Sequence, residues 1–374
     1  MKFVLAPDSF KGSLSSKQVC DFMSIGIKKA LPSARIVKVP MADGGDGTLE
    51  TLVNLYHGHY INCDVMGPLG NIVNAKYGLI ENGQAAVISM AEASGIDLVN
   101  KCDLNPLKAT SYGTGQLILD AAKHGVKRIY IGLGGSATND GGQGMAKALG
   151  VAFFDKNGND IGLGNSELSR LGHINIDDIN SRIKNIKFTI LSDVKNPLTG
   201  DEGASVVFGP QKGASTPDLV SNLDNNLKLY AEVIFNNLGV NVDKFPGAGA
   251  AGGMGAAFLA FFNSGFVSGA DFIIQKYDLK SKLLDCDYVF TGEGSIDSQT
   301  AYGKVTSKVT HLAKLVNPKC KVIGLGGIVA NDIKSLDIDA VFSITNGAMS
   351  IDESMQNASN LIINLSKNIA YLIK

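Results

Sequence analysis

The chain is short of the features that mark several whole classes of protein. Its five cysteines (Cys20, Cys63, Cys102, Cys286 and Cys320) are scattered and include no CxxC pair, so neither a disulfide framework nor a zinc site is indicated. No long basic run occurs and the formal net charge is −1, which argues against a nucleic-acid or membrane-surface footprint. The longest apolar stretch, around GAAFLAFF, falls well short of a membrane span. The start, MKFVLAPDS, turns polar too early for a signal peptide, and a reduced cytoplasm is the expected location. Histidine is scarce as well: none of the five lies in a Gly-rich segment. His57 and His59 flank a glycine at a helix end, and a zinc site there would need ligands that the sequence does not supply. No Ser-His-Asp or Cys-His arrangement is legible and no G-x-S-x-G elbow is present, which disfavours hydrolysis by a side-chain nucleophile.

Glycine is what the chain has in excess, with 44 residues against a usual share of about 7%. The glycines cluster, marking loops that must approach something closely. A hydrophobic content of 45% with 18% charged residues describes an ordinary soluble globular protein, and 374 residues make two domains the default.

The organising stretch is ADGGDGT, Ala42 to Thr48. RIVKVPM before it reads as a buried strand. TLETLVNLYHG after it carries Leu49, Leu52, Val53 and Tyr56 at helical spacing. Asp43 and Asp46 therefore lie at a strand-to-helix turn, where open α/β sheets place their ligands. Glycines there let backbone amides approach an anion, the helix start adds a positive dipole end, and paired carboxylates suit a hydrated Mg²⁺ escorting phosphate. A plain solvated turn would use the same residue types.

The same grammar recurs along the chain. MKFVLAP reads as a first strand, Phe3 to Ala6, followed by the loop PDSFKGS and a helix from about Ser15 to Leu31 that Ser13 or Ser15 can cap. Asp8, Ser9 and Lys11 crowd that strand's carboxyl end. From about Tyr60 to Ile96, short strands separated by GP, NG and SG turns predict a mixed or antiparallel sheet. The strand RIYIGL runs into GGSATNDGGQG, which offers Gly134, Gly135, Ser136, Thr138, Asn139 and Asp140. It lacks the lysine of a P-loop. Strand Phe188 to Leu191 delivers Asp193 into a loop, Gln211 and Lys212 stand in a GP turn, and a helix spans about Pro217 to Leu238 with its charges on a solvated face. PGAGAAGGMG holds a literal G-x-G-x-x-G at Gly247, Gly249 and Gly252, but Pro246 breaks any preceding strand. A Gly-rich anion loop capping a helix from near Met254 fits better than a dinucleotide site. Tyr288 to Thr291 is a strand with Glu293 and Asp297 in the turn beyond, Lys304 opens a helix, and DAVFSITNG adds a last strand before a closing amphipathic helix.

Strands alternating with helices predict an α/β fold with a doubly wound, mostly parallel sheet. That pattern at both ends predicts one Rossmann-like domain from residues 1–65 and 285–374. Residues 66–284 are expected to form a large inserted mixed-sheet α/β domain, with the active site expected in the cleft between the two. Gly-rich turns armed with carboxylates and lysines are the equipment of phosphoryl transfer. Two rivals differ in class: an NAD-dependent dehydrogenase using Gly247 to Gly252, and a non-catalytic metabolite sensor.

Seven motifs (APDSFKGSLSS, PMADGGDGT, GLGGSATNDGG, LSDVKNPLTG, FGPQKGA, PGAGAAGGMG and TGEGSIDSQT) resemble the bacterial glycerate kinase family, the type that usually forms 2-phosphoglycerate. The resemblance covers essentially the whole chain in the family's order. One departure is Ser192, where the family often has Cys. The resemblance implies an enzyme that phosphorylates D-glycerate with ATP and a divalent metal, Mg²⁺. Its partner is that small molecule, with no nucleic acid and no membrane, as a homodimer or a monomer.

Carried over position by position, Asp8, Ser9 and Lys11 match the family's first loop, and Asp43 and Asp46 its acidic turn. Ser136, Asn139 and Asp140 match the third loop, Asp193 the fourth, and Glu293 and Asp297 the last. The roles expected are Asp193 as base and Lys11 as the cation on glycerate or the transferring phosphate. Asp43 and Asp46 are expected to bind Mg²⁺. Asp8, Ser9, Ser136, Asn139, Asp140, Gly249, Gly252 and Gly253 are expected at the substrate. Gly134, Gly135, Lys212, Glu293 and Asp297 are expected at the nucleotide.

Overall fold

The computed structural model describes residues 1–297, 300, 304–330 and 337–374. In chain order its strands are β1 (Lys2–Leu5), β2 (Arg35–Lys38), β3 (His59–Met66), β4 (Ile72–Ile80), β5 (Ala85–Ser89), β6 (Arg128–Gly132) and β7 (Ala152–Asp155). They continue with β8 (Leu171–Asn175), β9 (Lys187–Leu191), β10 (Ser264–Val267), β11 (Tyr288–Ile296), β12 (Lys321–Val329) and β13 (Ala340–Ser343). The fold is mixed α/β with mostly parallel sheets, and the chain divides into two compact units, Met1–Thr51 with Ser268–Lys374, and Leu52–Val267.

The first unit is built on a five-stranded sheet of order β13-β12-β11-β1-β2, parallel throughout. Helix Ser16–Ala30 begins at Ser15, whose hydroxyl accepts from the Gln18 amide while the Gln18 side chain accepts from the Ser15 amide. That reciprocal cap is worth about 1 kcal/mol. Val19, Met23 and Ile27 on this helix meet Phe3 and Leu5 of β1, Phe290 of β11, and Leu361 and Ile362 of helix Ala358–Leu372 in one buried cluster. From β1 the chain steps to β2 on one side, whereas β11, β12 and β13 run outward on the other. The switch point thus falls between β1 and β11, and crevices at such points are where parallel sheets take ligands.

The second unit carries a six-stranded sheet of order β10-β9-β6-β5-β4-β3. Strands β5, β6, β9 and β10 are parallel, and β3-β4-β5 form an antiparallel meander. Its core joins Ile88, Leu117, Ile131, Phe188, Ile190, Tyr230 and Phe258. The helix expected from Pro217 to Leu238 occupies Pro217–Leu238, with Thr216 capping it and Gly239 ending it in the left-handed conformation. Its polar residues are not all solvated. Asp224 is buried, ion-paired with Lys228 at 2.9 Å, and accepts from the Gly200 amide at 3.1 Å. A small antiparallel pair, β7 with β8, lies outside the main sheet. Among the described residues no helix is long and apolar enough to cross a membrane.

Candidate functional site

In the first unit the acidic residues gather at the switch point. β1 ends at Leu5, and the chain turns so that the Asp8 amide donates to the Gly292 carbonyl of β11 at 2.8 Å. The Thr291 hydroxyl donates to the Ala6 carbonyl at 2.9 Å, which ties the start of this loop to the neighbouring strand. β11 runs on to Ile296 instead of ending at Thr291, so Glu293 stands in the strand and not in a turn beyond it. The reason lies in the register. Leu5 pairs with Phe290, while β12 continues to pair with β11 as far as Ile296 and Val329. Glu293 therefore projects past the end of β1, beside Asp8.

The crowding makes ionising Asp8 costly. Asp8 has a carboxyl group held well above its ordinary range, first by burial and then by the charges of Asp43, Glu293 and Asp46, against the Ser9 amide that favours its ionised form. The Asp43 carboxylate accepts from the Gly45 amide at 2.8 Å, and the Thr48 hydroxyl accepts from the Gly44 amide at 3.1 Å. The acidic turn is thus locked by its own side chains. Lys11 reaches Asp46 at 3.1 Å, a largely exposed pair. Glu293 is buried, its pKa raised by desolvation and lowered again by Lys304, whose ammonium lies 3.1 Å away. Asp297 closes the strand, its amide donating to the Thr300 hydroxyl at 3.1 Å and its carboxylate accepting from the Ser295 hydroxyl at 3.3 Å. Asp8, Asp43, Asp46 and Glu293 are thereby brought together.

In the second unit the loops after β6 and β9 leave adjacent parallel strands at the same edge, because Gly132 pairs with Leu191. Asp193 stands half-buried two residues past β9. The loop after β6 is nailed down by Asp140. Its fully buried carboxylate accepts from the Ser111 amide at 2.7 Å, the Ser111 hydroxyl at 2.8 Å, the Gly142 amide at 3.1 Å and the Gly144 amide at 3.3 Å. Burial raises its pKa while these donors lower it. Asn139 is buried too, its side-chain oxygen accepting from Asn165 at 3.2 Å and from the Ser205 hydroxyl at 3.0 Å. Gly134 and Gly135, by contrast, keep part of their surface in solvent.

Lys212 is the least expected of these residues. It is only 2% exposed, and its ammonium donates to the Ser136 hydroxyl at 2.8 Å and the Thr138 carbonyl at 2.7 Å. Burial brings its pKa down to about 7, and the Asp140 charge holds it from falling further. A surface turn suggests none of this from sequence. The buried asparagines Asn165 and Asn226, which bond each other at 2.9 Å, were equally hidden, since polar residues in loops and on helices usually face water.

The G-x-G-x-x-G stretch follows no strand. Gly252 and Gly253 have φ of 67° and 95°, and the Gly252 carbonyl accepts from the Gly141 amide at 3.0 Å. A side chain at Gly252 would strike the Thr138 carbonyl, and one at Gly253 would come within 2.7 Å of the Gly141 Cα. The Gly249 amide donates to the Asn196 carbonyl at 3.1 Å. These glycines hold the loops after β6 and β9 against the start of helix Ala250–Phe261, a geometry that leaves no role for a dinucleotide fingerprint.

With this geometry in view, similarity to known proteins becomes informative. The sequence pattern of the Glycerate kinase family matches residues 3–374. A protein of Escherichia coli strain K12 named glycerate 2-kinase is 46% identical over 99% of this chain and 97% of its own length. A glycerate kinase of Bacillus subtilis strain 168 is 42% identical over 100% of this chain and 98% of its own. A crystal structure from Salmonella typhimurium LT2, provisionally named a glycerate kinase 2, superposes with a TM-score of 0.86 at 44% identity, covering 100% of this chain and 98% of that one.

Proposed function

The chain belongs to the glycerate kinase family, and from that membership we propose that it moves the γ-phosphate of ATP onto a hydroxyl of D-glycerate, with Mg²⁺ as cofactor and 2-phosphoglycerate as product. The observation that carries this reading is the crowd of carboxylates at the switch point of the first unit, where Asp43, Glu293 and Asp46 all push up the pKa of Asp8. Like charges held that close are relieved by a cation. Among the described residues, no three His, Cys, Asp or Glu side chains group tightly enough to hold a metal alone. Mg²⁺ keeps waters and takes one or two carboxylates together with substrate phosphates. Asp43 and Asp46 would hold it, directly or through water. When bound, it would neutralise charge on the phosphates.

The remaining roles belong to the chain's own groups. Asp193 would take the proton of the acceptor hydroxyl. As that oxygen bonds to the γ-phosphorus, the bond from phosphorus to the β–γ bridging oxygen breaks and ADP leaves. Lys11 would sit on the glycerate carboxylate or the moving phosphoryl group. Asp8 and Ser9 would face the substrate, as would Ser136 on the loop that Asn139, Asp140 and the glycines Gly249, Gly252 and Gly253 hold in place. The partly exposed Gly134 and Gly135 would offer amides to phosphate, with Lys212 supporting their loop from beneath and Glu293 and Asp297 at the nucleotide. The 2-position is extended from the name of the E. coli relative.

A coupled assay with ATP and D-glycerate tests this reading through Asp193→Asn. A general base typically contributes about 10²–10⁴-fold, so kcat should fall by that order while the KM for glycerate stays within about threefold. A wild-type kcat in this variant would remove Asp193 from the chemistry.

A further inference from the structure

We propose that Cys286 and Cys320 form a peroxide-reactive dithiol at the foot of the first unit's sheet, closing to a reversible disulfide that ties the start of β11 to the start of β12. Cys286 stands two residues before β11 and Cys320 immediately before β12. They are 34 positions apart in the chain, yet their sulfurs lie 2.8 Å from each other. β11 and β12 are parallel neighbours, so both cysteines fall at the amino-terminal edge of the sheet. Glu293 projects at the opposite edge, which keeps this chemistry apart from the acidic cluster.

The surrounding backbone holds the two sulfurs in register. The Lys321 amide donates to the Asp287 carbonyl at 3.0 Å, and the Asn317 side chain donates to the Cys286 carbonyl at 2.9 Å and the Leu283 carbonyl at 3.3 Å. The Cys320 amide in turn donates to the Asn317 carbonyl at 2.9 Å. An S–S bond is about 2.0 Å long, so turns already pinned together have little distance left to close. The pair is also chemically asymmetric. The Cys320 thiol donates to Cys286 and holds it below the ordinary thiol range, with help from the Lys2 ammonium and against burial and the charges of Asp285 and Asp287. Cys320 is raised by the same contact and by burial, with Asp339 adding to the rise and Lys314 opposing it. Cys286 is therefore the thiolate that attacks and Cys320 the thiol that resolves, the arrangement of an oxidation-sensitive pair. Burial instead pushes Cys63 up to about 11 and raises Cys20 as well. Cys286 keeps 4% of its surface and Cys320 1%, which restricts the oxidant to a small hydroperoxide. The Cys286 sulfur attacks one peroxide oxygen, the O–O bond breaks, and the departing oxygen takes a proton from solvent. The Cys320 sulfur then displaces the hydroxyl of the resulting sulfenic acid, and its proton leaves with that hydroxyl as water. Each sulfur gives up one electron and the hydroperoxide takes both.

The test treats the folded full-length protein with hydrogen peroxide, alkylates the remaining thiols in denaturant, and maps peptides without reductant. The expected product is a peptide pair joining Cys286 to Cys320, lighter than its reduced parts by two hydrogens and reopened by a dithiol reductant. In Cys320→Ser, Cys286 should stop at the sulfenic acid and be captured by a cyclic diketone probe. Oxidised wild type should melt about 4 °C or more above the reduced protein, because the bridge closes a long crossover in the unfolded chain. Both cysteines recovered fully alkylated would overturn the proposal, as would a mixture of pairings no different from that formed in urea. A probe found only on the exposed Cys102 would overturn the order of attack. An oxidised protein that melts no higher than the reduced one would show that the bridge does not fit the fold. Because the wild-type map uses no substitution, a misfolded Cys320→Ser variant leaves the cross-link as the deciding result.

Discussion

Replacing Asp140 by Asn separates two roles that one residue could play, a substrate contact and the anchor of the loop after β6. The carboxylate accepts four hydrogen bonds, three of them on Oδ2 from Ser111 and Gly144 and one on Oδ1 from the Gly142 amide. An asparagine keeps its one oxygen where three donors converge and turns its NH₂ toward the Gly142 amide, donor against donor. That leaves a buried N–H unmet, at about 1–3 kcal/mol, and strips charge from the other three bonds. It also removes the anion that supports the buried Lys212 ammonium. Against these losses, the variant no longer buries a carboxylate whose pKa burial has raised. The net expectation is about 2–4 kcal/mol of local destabilisation. Because two units can unfold separately, the readout is amide hydrogen exchange by mass spectrometry and not a single global midpoint. Peptides containing Ser111 and Gly142 to Gly144 should exchange roughly 30- to 1,000-fold faster, at 1.4 kcal/mol per factor of ten, while β1 and β11 keep their protection. Loss of activity with unchanged exchange would refute the reasoning and return Asp140 to the substrate.

The other expectations follow from the remaining charges. Lys212 titrates near 7 in the fold and near 10.5 when free, so the unfolded chain holds more protons between those values and stability should rise with pH there, by at most about 1.4 kcal/mol per unit. Lys212→Met should remove that rise in urea titrations at pH 7 to 10, and an identical slope in both proteins would contradict the burial cost. Asp8, its pKa raised, gives the opposite sign: stability falls as pH climbs out of the ordinary carboxylate range toward the folded value. Asp8→Asn without metal should therefore melt higher than wild type at neutral pH, by about 0.5–2 kcal/mol, yet turn over more slowly. A lower melting temperature would deny the crowding. Asp43→Asn should raise the Mg²⁺ concentration for half-maximal rate, and an unchanged requirement would move the metal elsewhere.

Much of this arrangement was legible in the residues. Ser15 as a cap and the apolar spacing from Pro217 to Leu238 are local signals that need no help from tertiary structure, and the two helices start and run close to where those signals put them. The strand-to-turn rhythm likewise placed Asp8, Asp43 and Asp193 just past strands. What stayed hidden is whatever non-local pairing decides. β11 outruns Thr291 because β12 continues beside it, which no window around Glu293 can reveal. Strand β10, reading SGFV, is too short and too lightly patterned to announce itself, and pairing with β9 creates it. Lys212 reads as part of a GP turn, and its burial depends on a partner 74 residues away. At Gly252 and Gly253 a side chain would meet Thr138 and Gly141, approaches between distant loops that the spacing of PGAGAAGGMG does not show.

The central claim is that the chain phosphorylates D-glycerate at its 2-hydroxyl from ATP. Incubation with ATP, Mg²⁺ and D-glycerate, followed by phosphorus NMR with proton coupling, addresses it directly. The account predicts ADP and an equal amount of a phosphate ester coupled to a single proton, the methine of 2-phosphoglycerate. An ester coupled to two methylene protons would contradict the assigned position, and no new ester at all would contradict the function.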